Sequence, residues 1–126
     1  VVAIYTPFRN FFYGVDNGTD PIDSALIRSL TKGGAAAKKT LGTIAASSKT
    51  GATRVIVAIP NDSAINVTKV LMPSAMNADA TASFVKQPST VNVAGANGTD
   101  FMKAYKVWVY QPASIDSTET YTITLG

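Results

Sequence analysis

A chain of 126 residues has room for one domain, and a 46% share of hydrophobic residues against 15% charged ones excludes a disordered chain. The chain has no Cys and no His, which excludes disulfide staples, Cys–His nucleophiles, Ser–His–Asp triads and the usual zinc sites. The formal net charge is only +3. The low charge density favours one of two states: a surface partly covered by a neighbour, or a neutral surface rich in Thr, Ser and Asn.

The N-terminal segment is apolar and aromatic. Residues 2–5 predict a short strand, which Pro7 interrupts. Phe11, Phe12 and Tyr13 then follow one another. Because successive side chains of a strand point to opposite faces, the three rings cannot share one face. Either this strand is covered on both faces, or one ring lies at a sheet edge or contacts a neighbour.

Residues 21–30 carry the helical pattern of the sequence. Asp20 stands in the N-cap position and Pro21 in the first helical position. Gly33 and Gly34 predict the end of this helix. The apolar residues at helical spacing are Ile22, Leu26, Ile27 and Leu30.

The stretch at about 32–50, rich in Gly, Ala, Ser, Thr and Lys, predicts an extended basic arm. The window 28–54 holds six basic residues and no acidic one, whereas the rest of the chain holds five basic and eight acidic residues. Leu41 and Ile44 are the large apolar anchors of the arm, and their burial offsets only part of its ordering entropy. We therefore expect an acidic neighbouring subunit to hold the arm. The lysines expected to make this contact are Lys38, Lys39 and Lys49.

Two other interpretations of the arm stay open. It is a solvated loop, or its lysines neutralise phosphates. The arm has none of the interleaved aromatic residues that stack on single strands, and it has no helix suited to a groove. Nucleic acid is therefore not an expected partner.

Short β-branched and aromatic segments follow roughly every ten residues, with turn residues between them. Residues 54–59 form a continuous apolar run, which is typical of a strand buried on both faces. Residues 101–110 and 118–125 predict a C-terminal hairpin, in whose second strand Thr alternates with apolar residues. Further strands are predicted at residues 67–72, 81–86 and 90–93. The whole is predicted to be a single, mainly β domain over 1–126, an antiparallel β-sandwich or barrel with one short helix near residues 21–30.

Two groups of residues are candidate ligand sites, one aromatic and one rich in side-chain oxygens. Tyr105, Trp108 and Tyr110 are candidates for a sugar-stacking platform, although aromatic residues of a small β-domain commonly form its core. A loop with oxygen-bearing side chains resembles a calcium loop in composition, but its spacing does not match the EF-hand pattern, and a turn with a helix cap explains it equally well. The loop residues concerned are Asp16, Asn17, Thr19 and Asp20. No metal site and no catalytic pair of carboxylates is predicted.

Four stretches together carry a resemblance to a known family. They read Phe-Phe-Tyr-Gly at 11–14, Ile-Arg-Ser-Leu at 27–30, Gly-Ala-Thr-Arg-Val-Ile-Val-Ala at 51–58 and Tyr-Lys-Val-Trp-Val-Tyr at 105–110. In this order they resemble a β-sandwich domain of virion structural proteins of tailed bacteriophages. The resemblance implies an oligomeric component of a head, neck, tail or fibre, and it supplies no catalytic residue.

We therefore expect a non-enzymatic structural subunit of a tailed-phage particle, located in the virion. Its expected partners are copies of itself and other virion proteins, with no membrane and no cofactor. The alternative is a carbohydrate-binding or adhesion module that binds glycan through Tyr105, Trp108 and Tyr110. The residues expected to make assembly contacts are Phe11, Phe12, Tyr13, Lys38, Lys39, Leu41, Ile44 and Lys49.

Overall fold

A computed structural model describes residues 10–16, 18, 21–35, 39–45, 54–61, 63–73, 76–93, 103–111 and 120–126. These residues form one α-helix, α1 (Ser24–Ser29), and ten strands. The strands are β1 (Asn10–Asp16), β2 (Thr31–Ala35), β3 (Lys39–Ala45), β4 (Arg54–Pro60), β5 (Val67–Met72), β6 (Ala78–Asp79), β7 (Val85–Lys86), β8 (Val91–Val93), β9 (Lys103–Tyr110) and β10 (Thr120–Leu125). A short 3-10 helix, Thr81–Ser83, lies between β6 and β7.

The strands form two antiparallel sheets that pack face to face. The larger sheet has the order β2-β1-β4-β9-β7, with β8 also paired to β9, and the smaller has the order β3-β10-β5-β6. Val57 and Trp108 of the larger sheet share one buried cluster with Tyr121 and Ile123 of the smaller. Two sheets around a common core make a β-sandwich, so the predicted fold class is confirmed.

Strand β4 lies at the centre of the larger sheet and is buried on both faces. Val55, Val57 and Ile59 contribute to the core between the sheets, whereas Ile56 and Ala58 belong to a second cluster on the outer face. All seven residues of β4 are buried. The prediction made from the continuous apolar run is therefore confirmed.

Helix α1 covers the outer face of the larger sheet. Ile27 is fully buried in the outer cluster, beside Leu30 and Tyr105. Because this face is covered, the strands beneath it need no polar side chains there, which explains why β4 does not alternate.

The helix is shorter than the predicted 21–30. It begins after Asp23, whose Oδ1 accepts a 3.0 Å hydrogen bond from the backbone N–H of Leu26. The predicted cap, Asp20, lies outside the described residues. Because a closer Asx cap is present, the helix starts one turn later than the Asp–Pro pattern predicted.

Gly33 and Gly34 do not end the helix but belong to β2. The ring of Phe11 on the neighbouring strand lies so close to Gly33 that any Cβ there would overlap it. An aromatic ring that covers a glycine of the adjacent strand replaces the packing that the glycine lacks. Gly33 therefore marks close packing of β2 against β1.

The predicted arm, about 32–50, contains two strands of the sandwich. Strand β2 pairs with β1, and β3 pairs with β10. The backbone is extended there, as expected, but it pairs within the chain, so a neighbouring subunit is not needed to order these two strands. Contact of the arm with a neighbour stays a prediction.

The two C-terminal strands do not pair as the predicted hairpin. Strand β9 lies in the larger sheet, and β10 lies in the smaller sheet between β3 and β5. The alternation of β10 is confirmed, since Tyr121, Ile123 and Leu125 are buried while the residues between them are only half-buried. A period of two specifies which side of a strand is buried, but it does not specify the partner strand.

Candidate assembly site

Strands β2 and β3 form the candidate assembly site. They follow each other in the chain, with residues 36–38 between them, and each lies at the edge of a different sheet. Because packed sheets lie about 10 Å apart, this short connection keeps both edges on one side of the sandwich. In the described part of the chain, each strand has a strand partner on one side only. Such edges are templates for pairing with another chain.

Two of the three aromatic residues predicted to contact neighbours are buried inside the protomer. Phe11 is buried between the sheets, and Phe12 is buried on the outer face, 5.5 Å from the ring of Tyr105. Tyr13 is half-buried and stacks on Phe11 with ring centroids 5.7 Å apart. This corrects the prediction for Phe11 and Phe12, because β1 lies between β2 and β4 and both of its faces are covered.

The other predicted contact residues belong to the arm. Lys39 lies opposite Leu125 and Ile44 lies opposite Tyr121 in the pairing of β3 with β10, and Leu41 lies between them. This places the three at the edge of the smaller sheet. Lys38 and Lys49 lie outside the described residues.

The predicted glycan platform is not an exposed surface. Tyr105 lies on the opposite face of β9 from Trp108 and Tyr110, because residues an odd number of positions apart in a strand point to opposite faces. Tyr105 is 0% exposed and Trp108 is 7% exposed. Tyr110 stacks on Phe84 at 5.2 Å between centroids. Rings that are buried on two different faces cannot stack together on one sugar, which corrects this alternative.

Two lysines lie against Trp108. The ammonium groups of Lys86 and Lys106 are each 5.8 Å from its ring centroid. Lys106 is buried, and its Nζ donates hydrogen bonds to the carbonyl oxygen of Ser63 at 2.7 Å and to Oδ1 of Asn66 at 2.8 Å. These acceptors and the ring compensate for the loss of hydration of a buried ammonium group. Lys106 is two positions from Trp108 in β9, so strand alternation places both on the same face. This signal for a buried lysine was present in the sequence but was not used.

A buried ion pair joins β1 to β4, and sequence reasoning missed it. Nε and Nη2 of Arg54 donate to Oδ1 and Oδ2 of Asp16 at 2.9 and 2.5 Å. The backbone N–H of Gly18 also donates to Oδ1 of Asp16, at 2.6 Å. The two residues lie opposite each other in the strand register, so Nε and Nη2 of the guanidinium bind the two carboxylate oxygens in a bidentate ion pair.

This ion pair engages one carboxylate of the loop that resembles a calcium loop. The Asp16 carboxylate already accepts hydrogen bonds from Arg54 and from the backbone N–H of Gly18. The other three residues of the loop, Asn17, Thr19 and Asp20, lie outside the described residues. Within the described ranges, no three acidic side chains are grouped in a way that could hold a metal ion.

Comparison of the chain with protein families, curated proteins and solved structures finds no match. None of the helices that the described residues form has the length and apolar character needed to cross a bilayer.

Proposed function

We propose that this chain is a non-enzymatic structural subunit of a tailed-phage particle, which assembles through edge-strand and apolar contacts with its own copies and with other virion proteins. The observation that supports the proposal best is the position of β2 and β3. Among the described strands, one segment supplies the outermost strand of each sheet, on the same side of the sandwich.

Main-chain pairing at these edges supplies the attraction. An added strand pairs its N–H and C=O groups with those of the edge, and the side chains beside the edge select the partner.

The charge of the segment selects the kind of partner. Lysines on an edge strand deter pairing with an identical edge. The window 28–54 has only basic charges, whereas the remainder of the chain has an excess of acidic ones. The basic edge of one copy is therefore suited to a different, acidic surface of the next. Because exposed ion pairs are screened, rising salt weakens such a contact.

A pair of adjacent proline substitutions in β3 tests the proposal. Thr43 and Ile44 stand opposite Thr122 and Tyr121 in regular register. In an antiparallel strand, one of two adjacent amides points to the partner strand and the other points away. Thr43→Pro and Ile44→Pro therefore remove one inward and one outward amide, while the extended backbone suits the residue before each proline.

The melting temperature identifies the outward position, because only the inward proline removes a bond to β10. We expect the variant that keeps the parental melting temperature to be monomeric by native mass spectrometry under conditions in which the parent assembles. The same pair at Thr31 and Lys32 of β2 provides an independent repeat. Parental assembly by the stable variants of both strands would exclude edge pairing, and a parent that never assembles would contradict the proposed function itself.

A further inference from the structure

Met76 is an exposed apolar side chain on an unusual backbone. Its side chain is 95% exposed, in the turn between β5 and β6. Its φ is +59°, and that of Asn77 is +57°. Glycine and asparagine adopt this left-handed conformation readily, whereas for methionine it is strained. A strained backbone that presents a large apolar group to solvent is a reason to look for a binding partner.

A cavity of about 240 Å³ opens on the outer face of the larger sheet. It lies between the chain that leads into α1 and the turn that joins β7 to β8. Its lining residues carry no charge. Apolar groups come from Ile22, Pro88, Val91 and Val107, and polar groups from residues that include Gln87 and Ser89.

We propose that the turn at Met76 of one copy inserts into this cavity of a second copy. A methionine side chain is flexible and fills irregular apolar spaces well. Residues 76–78 carry no charge, so the contact buries no unpaired ion in the uncharged cavity. The amide of Asn77 can exchange hydrogen bonds with Gln87 and Ser89 at the rim.

The contact joins two different surfaces, so it is heterologous. Repetition of such a contact builds a ring where the rotation closes and a filament where it does not. One turn in one cavity buries far less than the roughly 1,000 Å² that a stable interface requires. It therefore acts together with the edge-strand contact or across many copies. The inference rests on the proposed function in one respect, that the occupant is a second copy.

Disulfide trapping tests this contact directly, because the chain has no cysteine of its own. The test protein carries Met76→Cys and Ser89→Cys, and the matched control carries Met76→Cys and Ala82→Cys, with Ser89 and Ala82 both exposed. Under oxidation we expect the test protein to form a ladder of dimers, trimers and longer species on a non-reducing gel, with little laddering in the control. An equal mixture of the Met76→Cys and Ser89→Cys single variants should form the mixed dimer.

The outcomes separate this inference from the proposed function. Equal laddering of test and control, or no ladder although the parent is oligomeric by native mass spectrometry, overturns the Met76 contact and leaves the proposed function standing. A parent that stays monomeric, with no ladder in the test protein, overturns both.

Substitutions at Met76 test the same contact without cysteines, by the strength of self-association. Met76→Gly relieves the left-handed strain and removes the side chain, so we expect an intact fold and association about tenfold weaker. Met76→Leu keeps an apolar side chain on the same backbone and should associate nearly as the parent does. Equal association of all three proteins would contradict the inference.

Discussion

The buried pair of Asp16 and Arg54 gives the sharpest test of the fold. In Asp16→Ala, the guanidinium of Arg54 stays buried but loses its carboxylate partner. Removal of one member of a buried ion pair typically costs 3–5 kcal/mol, because a charge stays buried without compensation. We therefore expect Asp16→Ala to lower the free energy of unfolding by about 3–5 kcal/mol. This is a large share of the total, because a domain is stable by only about 5–15 kcal/mol.

Urea unfolding of a double-mutant cycle measures this cost. The cycle compares Asp16→Ala, Arg54→Ala and the double variant with the parent. Because the double variant leaves no charge of this pair behind, it should lose less than the sum of the two single losses. If the loss of the double variant equals the sum of the two single losses, the two side chains do not interact.

An exposed ion pair of the same chain is the matched control. Nζ of Lys69 lies 3.0 Å from Oδ2 of Asp79, and both side chains are about half exposed. Exposed pairs contribute only about 0–1 kcal/mol, so Lys69→Ala should change the free energy of unfolding by no more than that. If Asp16→Ala costs no more than Lys69→Ala, the buried pair does not stabilise the fold as argued.

Two further predictions concern single contacts. Hydrogen bonds from the hydroxyl and the backbone N–H of Thr81, with a smaller effect of Lys69, lower the pKa of Asp79 from 3.8 to about 2. An NMR pH titration should show this pKa rising toward 3.8 in Thr81→Ala but not in Thr81→Ser, and an unchanged pKa in Thr81→Ala would contradict the assignment. Because the pKa is lowered in the folded state, the contribution of Asp79 to the stability of the fold is present above pH 4 and is lost as the pH falls through 2. Gly33→Ala forces a Cβ into the ring of Phe11, and calorimetry should show a loss of roughly 1–3 kcal/mol, whereas a neutral effect would mean that the ring does not lie on this glycine.

The sequence predicted best those elements whose pattern is local. The unbroken apolar run of β4 specified burial on both faces, and the alternation of β10 specified its buried side. Strand β5 has the predicted bounds, 67–72. In each case the side chains of one segment contain the information, because burial acts on each strand separately.

Partners across the fold were not predictable in this way. The two C-terminal strands looked like a hairpin, yet they lie in different sheets, because pairing depends on the topology of the whole chain. Gly33 was read as a helix stop, since only the tertiary structure places the Phe11 ring against it. Asp16 and Arg54 are 38 positions apart, and only the register of β1 on β4 brings them together.

The candidate site was predicted in part. The segment at 32–50 was expected to be an extended basic arm held by a neighbour; its two strands are extended but pair within the chain, as the outermost described strands of the two sheets. The three adjacent aromatic residues were placed among the assembly contacts because no local pattern reveals that α1 covers the outer face of the sheet. Phe12 packs in that covered face.

Amide hydrogen exchange along β3, measured residue by residue in free and assembled protein, tests the central claim most directly. In the free protein, we predict slow exchange for the β3 amides that bond to β10 and fast exchange for the alternate amides that point away. In the assembled protein, the alternate amides should become slow as well, because a neighbouring chain pairs with them. Equal exchange of these alternate amides in the free and assembled protein would contradict assembly through this edge.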